Sequence, residues 1–345
     1  MAAKEYLNKV LTGTATGITV ALIPNAILAE IFKVFMGRFP IFGTALNVVM
    51  VMQFATPMIV GVLVGLQFKL NPMQCTLVGT AAFLASGAFT VTDGKVALVG
   101  IGDLINVMLV SALAVFVTRA IGNKMGSLTI LLSPILIGAG VGFVGLLLLP
   151  YVRLVTVWIG DMVNSFTTLQ PFFMSVLICI TFSILIISPI STVAIGIAIG
   201  VAGLGAGAAA VGVAACTAIL VIGSIRTNEK GVTIAVLLGA MKMMIPNLIK
   251  YPILAVPVVL DAIISGIGVY FLNIIGTPAS AGFGIVGLVG PISAINNGTG
   301  STIENVIAAV TAFIIIPFVA GILIDFICRK VLKLYNNEIF RFIEG

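Results

Sequence analysis

Apolar runs of about twenty residues follow one another along this chain, separated only by short polar stretches. A hydrocarbon core of roughly 30 Å takes about 20 helical residues to cross. Lipid offers the backbone no hydrogen bonds, so only helices and closed barrels can span it. Barrel strands would alternate apolar and polar residues over about ten positions. Runs such as VIAAVTAFIIIPFVAGILI do not alternate. The chain therefore reads as all-α, a polytopic integral membrane protein of about ten transmembrane helices. Its composition agrees, with 60% hydrophobic and 8% charged residues, which would leave a soluble fold with a largely apolar surface.

The spans are predicted at 11–36, 42–67, 73–91, 96–118, 128–150, 171–188, 192–223, 232–248, 251–275 and 303–328, with a further half-helix within 276–302. Residues 151–171 are too polar for an ordinary span and too apolar for a free loop, and read as re-entrant or amphipathic. All 345 residues form one membrane domain. Lys4 and Lys9 precede the first run, while Arg329, Lys330, Lys333 and Arg341 follow the last. Positive flanks face the cytoplasm, which places both termini there and makes 329–345 a cytoplasmic basic tail. The net charge of +6 is scattered over many loops, which orients a membrane protein and does not bind nucleic acid. The first run contains Pro24, Asn25 and Glu30 and lacks a cleavage signature, so it reads as a retained span.

The chain also resembles itself. ATPMIVGVLVG (55–65) matches ISPISTVAIG (187–196), GAFTVTDGKV (87–96) matches GSIRTNEKGV (223–232), and AGVGFVGLLLLP (139–150) matches AGFGIVGLVGP (281–291). The matches stay in order and nearly in register. They predict two related five-helix halves, 37–170 and 171–328, which an odd number of spans per half would make an inverted repeat. The 38 glycines suit close helix crossing, and glycine and proline also allow broken or re-entrant segments.

Polar residues inside such a chain are the natural candidates for function, because each is costly in lipid. The stretch NNGTGSTIEN (296–305) interrupts two apolar runs. Its Asn, Thr and Ser side chains offer donors and acceptors and its carboxylate accepts, a mixture suited to a polyhydroxylated solute. The same stretch can be read as an exposed turn capped at Ser301 or Thr302, with Glu304 in the first helical turn. In the repeat alignment Asn164 matches Asn305 and Asp161 matches Thr302, so both halves turn polar at the same point. The substrate-binding candidates are Asn296, Asn297, Thr299, Ser301, Thr302 and Glu304 in the second half, facing Asp103, Asn106, Asp161 and Asn164 in the first. Asp103 and Asn106 are three apart and share a helical face. Asp261 is an isolated carboxylate, for which Lys242 or Lys250 is a possible partner in sequence terms.

Several chemistries are excluded. The chain has no histidine, hence no imidazole base and no phosphohistidine. Cys75, Cys179, Cys216 and Cys328 lie far apart without metal-ligand spacing and read as small core residues. No phosphate-binding GxxxxGK[ST] motif, GxSxG or HExxH occurs. No metal site, cofactor or catalytic residue is expected, and the chain is not read as an enzyme.

LNKVLTGTATGITVALIPNAILAEIFK at the start, then QFATPMIVGVLVG and NNGTGSTIENVIAAV, resemble the membrane EIIC-type proteins of the phosphotransferase system. More narrowly they resemble the stand-alone branch, to which the perfringolysin regulatory protein belongs. The resemblance implies a dimeric protein of the bacterial inner membrane that carries a sugar while separate EIIA and EIIB proteins phosphorylate it. In sugar-carrying relatives a Glu in a short polar motif and a His contact the sugar. Thr302–Glu304 looks like the first element, and the second has no counterpart in a chain without histidine. The leading expectation is a sugar carrier working by alternating access, with its site between the halves. A non-transporting membrane regulator of gene expression, with a partner docking on the tail KLYNNEIFRFIEG, and an ion-coupled permease are the alternatives.

Overall fold

Several helices in this protein begin at a capping side chain or a proline, and some end at a glycine, as at Gly122, Gly239 and Gly298. The computed structural model describes residues 3–122, 124 and 126–342, and is helical almost throughout. The chain forms two compact units, the first running through Val155 and the second from Thr156.

The first unit opens with α1 (Ala3–Met36), α2 (Ile41–Gln53), α3 (Thr56–Gln67) and α4 (Pro72–Ala85). α2 and α3 meet at a 49° bend, with Pro57 in the first turn of the new helix, where its missing N–H costs nothing. Gly13 and Gly17 bring α1 onto the backbone of Val64 and Val60, and Gly61 of α3 meets Gly79 of α4, the small-residue crossing common in membranes. Around these contacts Val60, Val64, Val78, Ala81, Val107 and Val110 form the core.

A hairpin comes next. β1 (Phe89–Thr92) pairs antiparallel with β2 (Lys95–Leu98), and Asp93 and Gly94 between them both have positive φ, 51° and 73°, as a two-residue type I′ turn requires. The span expected at 96–118 therefore starts later, as α5 (Leu104–Ile121). α6 (Thr129–Ser133) continues through a wider turn at Pro134–Val141 into α7 (Gly142–Phe166). Residues 151–166 thus extend a long helix rather than re-entering.

The second unit contains α8 (Pro171–Leu185), α9 (Thr192–Ala198), α10 (Gly203–Ser224), α11 (Lys230–Leu238), α12 (Ile245–Lys250), α13 (Ala255–Leu272), α14 (Val289–Asn297), α15 (Thr302–Val310) and α16 (Ile316–Phe326). α10 is buried along its whole apolar length and packs on α8, α13 and α16. Its run GAGAAAVGVAAC makes this possible. Gly207 lies against the carbonyl of Ile274 and Gly212 against the main chain of Cys179, so a methyl group at either position would collide with backbone.

Among the described residues five helical paths are long and apolar enough to cross a membrane, or six if α2 and α3 form one bent span. Of the other expected spans, 11–36 lies within the uninterrupted 34-residue α1, and the rest are shorter or cut. α4 and α8 have 14 and 15 residues, the run 192–223 is broken at Gly200 and Gly203, and the run 232–248 is broken at Gly239, all three glycines having positive φ. The four cysteines are free and buried.

Candidate functional site

The polar stretch 296–305 is a built turn between two helices of the second unit. α14 ends at Asn297, Gly298 is extended, and Ser301 caps α15. The Ser301 hydroxyl accepts from the Glu304 amide at 3.4 Å, while Glu304 Oε2 accepts from the Ser301 amide at 2.8 Å. This reciprocal cap satisfies two of the N–H groups a helix start leaves open. Asn305 locks the turn from inside. Its Nδ2 donates to the carbonyls of Ile295, Gly298 and Gly300 at 3.1, 3.2 and 3.2 Å, and its Oδ1 accepts from the Gly300 amide at 3.2 Å. Asn297 Nδ2 donates back to the Ser293 carbonyl at 2.7 Å. Asn273, in the left-handed position closing α13, reaches Thr299 Oγ1 at 3.5 Å.

The structure therefore gathers Asn296, Asn297, Thr299, Ser301, Thr302 and Glu304 on one exposed turn. Asn305, which the repeat alignment matched with Asn164 without assigning it a role in binding, is the residue that shapes that turn.

The first-half candidates are placed elsewhere. Asp103 is the N-cap of α5, and its Oδ1 accepts from the Asn106 amide at 2.9 Å. Asp103 thus stands just outside the helix whose face the two residues are expected to share, and its carboxylate meets the Asn106 main chain. Asn106 is fully buried, and its Nδ2 joins the Ala85 carbonyl of α4 to the Gly145 carbonyl of α7 at 2.7 and 3.0 Å. Asp161 and Asn164 are exposed on the last turns of α7. Among the described residues, no hydrogen bond joins either of them to the turn at 296–305.

A second group of polar contacts holds two breaks in the second unit, at 186–202 and 273–288. Gly203 and Gly276 exchange both main-chain bonds, at 3.1 and 2.9 Å, as a single antiparallel bridge. Thr192 Oγ1 donates to the Gly282 carbonyl at 2.9 Å. Lys242 Nζ donates to the carbonyls of Ser188 and Ile190 at 2.7 and 2.8 Å. Unwound backbone at membrane depth persists only where protein or a cavity satisfies it, and these side chains do so here. Neither lysine pairs with Asp261: Lys242 serves those carbonyls, and Lys250 stands 4.9 Å from the ring centre of Tyr251. Asp261 is fully buried in α13, with Ser265 Oγ 3.3 Å from Oδ1 and no partner for Oδ2. The proline and serines of ISPIST and the glycines of the second break are the local signals of this region. Nothing local indicates that Lys242 reaches back to it.

The model of the family described as "Phosphotransferase system, EIIC" matches residues 8–342. Comparisons with curated proteins and with solved structures each return no match. Helices of membrane-spanning length and a family match over nearly the whole sequence agree: the chain belongs to the EIIC family, the membrane component of the phosphotransferase system.

Proposed function

We propose that the protein is a carrier for a small polar solute, a sugar in the first instance, and that the turn 296–305 forms part of its binding surface. One observation carries this reading. Six side chains rich in hydroxyl, amide and carboxylate groups stand exposed on a turn whose backbone is already fixed by Asn305 and the Ser301–Glu304 cap. Donors and acceptors held in place cost little ordering when a solute replaces water, which is the advantage of a preorganised site. The EIIC membership supports the solute class.

In this reading transport proceeds by alternating access between two inverted halves of five spans each, with both termini in the cytoplasm and the protein a homodimer in the inner membrane. The broken segments held by Lys242 and the Gly203–Gly276 bridge supply the hinges. Asp161 and Asn164 provide a second polar strip, while Asp103 and Asn106 act by fixing the helices around them. Phosphorylation falls to separate EIIA and EIIB proteins, since this chain has no histidine to accept a phosphoryl group.

The test is a thermal-shift screen of the purified protein against sugars, sugar phosphates, nucleosides and carboxylates, run beside Glu304→Gln. A ligand that binds only the folded state raises the melting temperature by mass action. A sugar that stabilises the wild type and not the variant supports the reading. Equal stabilisation of both removes Glu304 from the site, and no shift from any solute argues against a carrier.

A further inference from the structure

The final described residues do not trail from the protein. Beyond α16 the chain passes a wider turn at Ile327–Val331 and reverses at Lys333, a non-glycine residue with φ of +51°. It then lies back on the second unit. Tyr335 is buried and its hydroxyl donates to Asp325 Oδ1 at 3.4 Å. Asp325, 1% exposed, also pairs with Arg226 and with Arg329. Ile339 and Phe340 are 3% and 1% exposed. The Phe340 ring stands edge-on to Tyr335, 5.8 Å between centres, and rests on Gly223, where a single methyl group would strike it.

Two asparagines read the main chain of this strap. Asn247 Nδ2 donates to the carbonyls of Ile339 and Arg341 at 2.9 and 2.8 Å. Asn228 Nδ2 donates to the Phe340 carbonyl at 2.7 Å, and its Oδ1 accepts from the Phe342 amide at 2.7 Å. Asn228 thus gives the strap both bonds that a neighbouring strand would give. Four main-chain bonds from fixed side chains, together with an aromatic anchor in a glycine-floored pocket, are the elements of a peptide-binding site. The strap contributes only one short turn of helix, Asn337–Phe340, so its order depends on the cradle, in which Gly223 and Asp325 lie near the ends of packed helices, Asn228 in the turn after α10 and Asn247 in α12.

We propose that Tyr335–Phe342 is a detachable intramolecular ligand, a latch that fills a peptide cradle built from Gly223, Asn228, Asn247 and Asp325. Seated, it adds a tie between the end of α16, the turn after α10 and α12; released, it removes that tie and opens the cradle, while α10 and α16 stay packed on each other. The latch stays seated by default because its tether holds it at high effective concentration. This inference is independent of the identity of any solute.

The experiment uses the full chain with a protease recognition site inserted between Lys333 and Leu334, purified folded and then cut. The probe is a fluorescent peptide of residues 335–342. The cut protein is expected to exchange its strap for the probe, while the uncut protein binds it at least tenfold more weakly. Asn247→Ala in the cut protein is expected to weaken probe binding at least tenfold. A strap that cannot be exchanged after cutting, or a probe that binds cut, uncut and Asn247→Ala proteins alike, overturns the proposal. Should the insertion prevent folding, hydrogen exchange on the unmodified protein decides. Strap amides exchanging at least tenfold faster than those of α10 support a latch, and equal protection of the two overturns it.

Discussion

Ser301 and Glu304 each hold the other's backbone amide, so a serine and a carboxylate three residues apart build the start of α15 between them. The arrangement separates two properties of Glu304. Glutamine can close the same cap, because the motif accepts Glu or Gln at this position, but it carries no charge. Glu304→Gln is expected to leave the melting temperature of the solute-free protein unchanged and to weaken solute binding. Ser301→Ala removes the cap oxygen and is expected to cost about 1 kcal/mol, visible as a lower melting temperature without solute.

Asn305 makes four hydrogen bonds to the turn it closes. Asn305→Ala leaves three carbonyls and one amide without that partner and is expected to loosen residues 298–301. Hydrogen exchange of those amides should rise and solute affinity should fall. Asn305→Asp, which keeps the shape and loses the donors, is expected to behave like alanine rather than like the wild type.

Asn106 joins α4 to α7 in the core of the first unit. Asn106→Leu fills similar space but removes the donor that the Ala85 and Gly145 carbonyls share, at about 1–3 kcal/mol for a buried group left without its partner. A marked loss of thermal stability is expected. If the variant melts with the wild type, the two bonds contribute little to folding.

Lys242→Met removes the donor that holds the Ser188 and Ile190 carbonyls and keeps most of the side-chain length. The expected loss is again about 1–3 kcal/mol for each carbonyl left unpaired. It should be accompanied by faster reaction of a cysteine placed at Ser188 with a water-soluble thiol reagent.

Tyr335, beyond the last span, has its phenol pushed above the ordinary tyrosine range, first by burial and then by the Asp325 charge. Folding therefore favours the protonated phenol. That stability is fully present below the ordinary value of 10.0 and is lost as pH climbs from there toward the raised folded value. A pH series of melting temperatures should show the wild type falling more steeply above pH 10.0 than Tyr335→Phe.

What could be seen in the sequence and what could not follows the range of the interactions. The S-T-I-E spacing at 301–304 carries its own cap, and the all-helical membrane class follows from runs that no soluble surface could display. Asp93-Gly94 also signals its turn locally, yet the apolar residues after it, VALVG, draw a span boundary eight residues too early, at 96 rather than at Leu104. Hydropathy windows likewise average across Gly200, Gly203 and Gly239, whose backbone angles cut the helices. Lys242 reaching Ser188, or Asn247 reaching Arg341, joins residues that no periodicity connects. The strap lies within what reads in sequence as a basic tail, and its seat is not legible, because Asn228 looks like an ordinary loop residue and Asn247 falls inside an expected span.

α10 meets other helices on every side. A change in bilayer thickness acts on helices through the lipid that touches them, by tilt or by local stretching of the membrane. α10 is buried along its apolar length, so thinning or thickening the bilayer reaches it through the elements packed on it, α8, α13 and α16 foremost. The second unit thereby carries an internal post whose length is set by its neighbours, and the same protein placed in short-chain and long-chain lipids should tilt its outer helices around a centre that keeps its place.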